Sequence, residues 1–342
     1  MKIGRIFGFL TCALFLSTLA HAAKYNIRWV LAHDPSVAAE ASARDFAARI
    51  AKETGGDVRV EIVKSRDYNK ASGRVVSHRA LLQDLSDGKI EMTQMYTAAL
   101  GRYDGKLLSL GNPYLFRDYE HAEAVFEGPL GAEFLAAVPR ASGMRALGIT
   151  YSGGFGIFAT KDRVVHSPSD MRGLKLQSDR FPWMGPFVNA LGVEPITAPP
   201  EAFVPLAKME FADAVETTVA RFDEYGDDRA AKVVNMTNHF LLTTMVVINE
   251  KFFETLPADY QAKISSLAIE TARSERSMSI KANEEGRKRL EARGVKFVEL
   301  SADEKKRFAE ALNPVYSLPW SVAAADWTAA IRATQSARTA AR

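Results

Sequence analysis

From Tyr25 to Met95 the apolar residues change period repeatedly, and this alternation most restricts what the chain can fold into. Ile27, Trp29 and Leu31 alternate with other residues, the period of a strand over Tyr25–Ala32. Asp34, Pro35 and Ser36 then open a helix. Its Ala39, Ala43, Phe46, Ala47 and Ile50 share one face, and Gly55-Gly56 closes it. Val58, Val60 and Ile62 alternate again. Leu81, Leu82 and Leu85 lie on a helix ending at Gly88, and Ile90–Met95 reads as a third strand. Such a β-α-β-α-β series builds an open α/β sheet with helices on both faces.

A second series follows a long helix expected near Glu120–Val138. Met144–Thr150, Phe155–Ala159, Leu174–Leu176 and Glu194–Ile196 read as strands, and Phe181–Leu191 as a helix. Pro199-Pro200 opens a further helix running to about Met209. Phe240–Ile248 is β-rich, and Ala258–Arg293 predicts one helix of unusual length, enough to brace two lobes. Val295–Val298 is the last expected strand, with helix from Ser301. Two α/β lobes imply a cleft, which is where small ligands bind and around which lobes close.

Upstream of the first strand, Lys2 and Arg5 precede an apolar run, Ile6–Leu19, and Ala20-His21-Ala22 follows. This is the pattern of a secretory signal peptide over 1–22. The run is short for a membrane span, which needs about 20 residues. The whole chain has 44 Lys and Arg against 41 Asp and Glu. Removing the leader takes two basic residues and the single Cys, Cys12, leaving a nearly neutral chain without thiols. So balanced a charge excludes a nucleic-acid footprint, and an exported chain without disulfides must be held by its core.

Chemistry-bearing motifs are sparse. Of the six histidines, His21 leaves with the leader. His33, His78, His121, His166 and His239 make no metal-ligand spacing with a carboxylate or second His. No nucleophile elbow or phosphate loop occurs, and Gly153-Gly154-Phe155-Gly156 reads as a tight turn. No metal, cofactor or enzyme activity is expected.

Several stretches resemble the solute-binding proteins of TRAP transporters, the DctP-type family. They are Thr54-Gly55-Gly56-Asp57-Val58-Arg59-Val60, Leu85-Ser86-Asp87-Gly88-Lys89-Ile90-Glu91-Met92, Asn112-Pro113-Tyr114-Leu115-Phe116, and Asp170-Met171-Arg172-Gly173-Leu174-Lys175-Leu176. Met236-Thr237-Asn238-His239 and Leu256-Pro257 continue the likeness, which covers about Lys24 to Phe308. The resemblance implies an α/β, two-lobe periplasmic binding protein-like fold with hinge strands and a long helix spanning both lobes. Lobe I would comprise 23–149 plus about 240–258, and lobe II 150–239 plus about 259–342, sharing the helix at about 258–293. It also implies periplasmic capture of a small organic solute, an organic acid above all, by a monomer that delivers it to TRAP membrane subunits.

At one position the resemblance breaks. The family signature ends in an Arg that grips the ligand carboxylate, a bidentate geometry Arg suits; this chain has Gln177, whose amide can donate but carries no charge. Arg180 or Arg221 would then supply the cation, although Arg180 is equally a surface residue at a helix start. Otherwise the ligand is neutral or zwitterionic. The resemblance also places His33 and Tyr96 at the cleft, with Glu216 and Thr217 following Phe211-Ala212-Asp213-Ala214-Val215. Phe181 and Trp183 would form an aromatic wall, with Tyr151 and Phe155 as weaker candidates. Alternative readings are a ligand sensor for a membrane receptor, or a periplasmic enzyme using His33 and Glu216 as an acid/base pair.

Overall fold

The computed structural model describes residues 22–32, 36–178 and 184–335. Ten strands lie among them. In chain order they are β1 Tyr25–Leu31, β2 Val58–Lys64, β3 Met92–Tyr96, β4 Met144–Thr160, β5 Lys175–Ser178, β6 Glu194–Thr197, β7 Ala214–Thr218, β8 Val233–Met236, β9 Leu241–Asn249 and β10 Lys296–Glu299.

The first lobe is the sheet β2-β1-β3-β9-β4, parallel through its first three strands and antiparallel where β9 joins. The two-residue period of β1 sorts its side chains as expected. Ile27, Trp29 and Leu31 enter one core with Phe46 and Ile50, while Val30 enters the opposite core with Leu81 and Leu85. The second lobe continues from the far half of β4 through β7, β5 and β6, with β8 and β10 branching from β4.

β4 therefore belongs to both lobes. Two separate strands were expected there; one 17-residue strand runs through, with its register shifted between Tyr151 and Gly154. The glycines permit this bulge. Gly153 and Gly154 take φ of 84° and 105°, and a Cβ would lie 2.0 Å from Thr218 Oγ1 or 2.1 Å from the Tyr119 hydroxyl.

The helix Ala258–Ala292 braces both lobes. Ile264, Leu267 and Ala268 pack in the first lobe with Phe46, whereas Leu290 packs in the second with Phe203 and Phe222. Between them Glu275 accepts the Tyr151 N–H at 2.8 Å, and Asn283 donates to the Gly153 carbonyl, fastening the helix to the bulge.

Two expectations need correction. The single helix over 120–138 is two helices, Tyr119–Phe126 and Pro129–Ala136. Gly128 caps the second, and Pro129 takes its first position, where a missing N–H costs nothing. The tail was expected to belong to the second lobe. The helix Ala302–Leu312 does pack there through Phe308 and Leu312, but Trp327 and Ile331 are buried in the first lobe's core. Trp327 lies edge-on to Phe134, with ring centres 4.8 Å apart, so burial of a large aromatic draws the chain back across.

Candidate functional site

β1, β3, β5, β6 and β7 all end, or nearly end, at one cleft. Ligands in open α/β sheets bind at the carboxyl ends of parallel strands. On the first-lobe side stand Ala32 after β1, Ser65 and Asn69 after β2, Val75 to His78, and Tyr96 at the end of β3. Facing them are Thr197 at the end of β6, the turn Ala198 to Glu201, and Tyr225. The cavity between is about 490 Å³, within the roughly 300–1,000 Å³ of small-molecule sites. Past Tyr96, Pro200 and Tyr225 it continues into a recess of about 40 Å³. Gln177, Glu216, Thr217, Arg221, Asp227 and Leu242 bound that recess.

Gln177 is buried near the end of β5. Its Nε2 donates to the carbonyls of Ala198 at 2.7 Å and Pro199 at 3.1 Å. Two acceptors on that side fix which way the amide points. Its Oε1 consequently faces away from them and has no partner. The expectation that Gln177 would offer the ligand a donor is corrected: both donors are taken by backbone, and an acceptor remains.

Arg221 lies on the helix Val219–Tyr225, which Thr218 caps by accepting the Arg221 N–H. Tyr225, one turn later, stacks beneath the guanidinium at 4.7 Å and accepts from Nη2 at 2.5 Å. Glu224 accepts from Nη1 at 2.9 Å. The other oxygen of Glu224 accepts the backbone N–H of Val37 at 2.9 Å. Val37 begins a helix of the opposite lobe, Val37–Glu53, whose own cap residue Ser36 makes no side-chain bond. The second lobe thus supplies a carboxylate to an uncapped helix start in the first.

Glu216 of β7 accepts from the Ser178 hydroxyl at 3.3 Å and lies 3.8 Å from Nε2 of His239. His239 stacks flat on Phe158 at 4.2 Å and bonds Thr237 through Nδ1 at 2.8 Å. Burial pushes its imidazole down to about 3, so it stays neutral. Asp227 follows the left-handed Gly226 that ends the Arg221 helix, and it is 2% exposed. Burial pushes its carboxyl up to about 8.

Of the expected site residues, the structure brings Tyr96, Gln177, Glu216, Thr217 and Arg221 together. Tyr151 and Phe155 instead point into the first lobe's core. The Tyr151 hydroxyl donates to Glu123 at 3.1 Å, and Phe155 packs on Tyr119 with ring centres 4.9 Å apart. They follow the inward face of β4, so neither borders the cavity or its recess. His33, Arg180, Phe181 and Trp183 lie outside the described residues. Sequence reasoning missed His78, Tyr225, Asp227 and the turn at Ala198. Tyr225 was findable as the residue one turn beyond Arg221; His78, set edge-on to Tyr96 at 5.3 Å, left no such signal.

Among the described residues no three metal-ligating side chains gather, and no helix is long and apolar enough to cross a membrane. Residues 32–321 match the sequence model of the bacterial extracellular solute-binding protein family 7, DctP. The chain belongs to that family. Family 7 consists of solute-binding proteins, and capture of a small solute is this chain's function. The C4-dicarboxylate-binding periplasmic protein DctP of Rhodobacter capsulatus is 26% identical over 336 residues, covering 97% of each chain. A solute-binding protein of Verminephrobacter eiseniae is 28% identical over 273 residues, covering 79% of this chain and 77% of that one. The fold matches a TRAP periplasmic solute-binding protein of Pseudomonas putida F1 with bound D-glucuronate. The TM-score is 0.81 at 21% identity, over 91% of this chain and 98% of that one. A Ralstonia eutropha H16 protein with bound (S)-2-acetolactate matches with a TM-score of 0.80 at 19% identity, over 90% and 97%.

Proposed function

We propose that this chain is exported by its first 22 residues and works in the periplasm as a monomer. It captures a small organic acid by closing its lobes and hands it to TRAP membrane subunits. The observation that carries this reading is the 490 Å³ cavity between two lobes joined by β4 and one long helix, the layout of a hinged trap. The relatives support the class of ligand: one is named for C4-dicarboxylates, and two similar folds hold a uronate and a keto-hydroxy acid. Arg221 in the recess gives a carboxylate a positive neighbour, without which its burial would cost several kcal/mol.

Thermal-shift screening of dicarboxylates, sugar acids, amino acids and neutral polyols tests the reading. An acid should raise the melting temperature, and solution scattering should register a smaller radius of gyration when it binds. Stabilisation by neutral polyols alone would remove the organic-acid assignment.

A further inference from the structure

We infer that the solute carries an amine as well as a carboxylate, and that its ammonium group sits in the recess against Gln177 Oε1 and the Asp227 carboxyl. This rests on the organic-acid reading and names the kind of acid.

Three observations point there. The first is the Gln177 amide. A buried carbonyl oxygen without a partner is costly, since it has lost water and gained nothing. Its orientation is fixed by the Ala198 and Pro199 carbonyls, so it cannot rotate to offer N–H groups instead. A donor that enters the recess satisfies it. The second is Asp227. Its carboxyl lines the same recess, is nearly inaccessible, and receives no hydrogen bond from any described residue. A carboxyl in that condition holds its proton, and burial does raise its affinity for one. An incoming cation replaces that proton with a charge partner.

The third is the balance of charge. Among the described residues bordering the cavity and its recess, Glu201, Glu216 and Asp227 are acidic, whereas Arg221 alone is a permanent cation. That guanidinium is already matched by Glu224. Among these groups two carboxylates, Glu201 and Glu216, stand with one cation that is already paired, and the Asp227 carboxyl holds its proton until a cation arrives. An amino acid brings its own cation, the ammonium, for these acceptors. The recess, about 40 Å³, has room for one small group of that size.

Titration calorimetry on the wild-type protein with matched pairs tests this. The pairs are L-aspartate and L-malate, 4-aminobutyrate and 4-hydroxybutyrate, and D-glucosaminate and D-gluconate. Each pair shares a carbon skeleton and exchanges only amine for hydroxyl. The amino member of at least one pair should bind at least tenfold more tightly than its twin. Gln177→Leu should weaken that amino acid about tenfold, the scale of one hydrogen bond to a charged group, and its twin by less. Asp227→Asn, which keeps the shape but not the charge, should act in the same direction if Gln177→Leu fails to fold. If no amino member outperforms its twin, the inference is wrong. Binding by hydroxy acids would then leave the organic-acid reading standing, and binding by neutral polyols alone would remove both.

Discussion

Glu275 is a single side chain on which the hinge depends. It is fully buried, accepts the Tyr151 N–H at the bulge and the Ser279 hydroxyl, and burial pushes its carboxyl up to about 7. The folded protein therefore holds a proton on this group up to about pH 7 that the unfolded chain releases near pH 4.5. The unfolded state binds fewer protons in that window, so this group's contribution to stability falls as pH rises from about 4.5 to 7 and is flat above. Glu275→Gln keeps an acceptor for Tyr151 and removes the titration. Its advantage over wild type should grow across that window to on the order of 1–3 kcal/mol. Parallel urea titrations at pH 5, 6, 7 and 8 would check this; a constant difference at all four would refute it. Gln177 carries the complementary lesson. Its identity was legible as a missing cation, but its role as an acceptor was not. That role depends on two carbonyls 21 and 22 residues away, placed by the turn after β6.

Among elements, the informative pair is the helix Val37–Glu53 and the helix Val219–Tyr225, one from each lobe. Glu224 holds the first amide of one and the guanidinium of the other. The sequence put Asp34, Pro35 and Ser36 before the first helix as a capping signal, yet Ser36 makes no side-chain cap. A carboxylate 187 residues downstream takes its place, which local pattern cannot reveal. This bond crosses from one lobe to the other. Glu224→Ala should speed ligand dissociation by roughly fivefold to tenfold, the scale of one or two charge-assisted bonds. The ligand-free melting temperature should fall as well, because Glu224 also pairs the buried Arg221 guanidinium within its own lobe. Stopped-flow chase kinetics would measure it, and an unchanged rate would show that Glu224 does not hold the lobes together. The helix expected over 120–138 failed for a local reason that the sequence did contain: Gly128-Pro129 ends one helix and starts the next.

For the whole molecule, the relevant fact is how thoroughly the lobes are tied. β4 runs through both sheets, the helix Ala258–Ala292 packs in both cores, and Trp327 returns the tail to the first. Neither lobe is a separate run of chain, so both should unfold together. Calorimetry should give one transition. Ligand at 100 times its Kd should stabilise it by about 2.7 kcal/mol. Two transitions, with only one moved by ligand, would mean that the lobes fold independently.

The sequence by itself determined most of the first-lobe elements, the long helix and the family. Strand and helix periods, glycine stops and a set of ordered motifs are local, so they survive without knowledge of what packs on what. It also singled out Tyr96, Gln177, Glu216, Thr217 and Arg221, because each follows a strand or a motif whose place in the fold is known. Only the tertiary structure decided which way those groups face. Tyr151 turns inward, Asp227 turns into the recess, and the Gln177 amide is held by distant backbone. The direction of a buried polar group is fixed by whichever partners surround it, and here those partners are brought together from far along the chain.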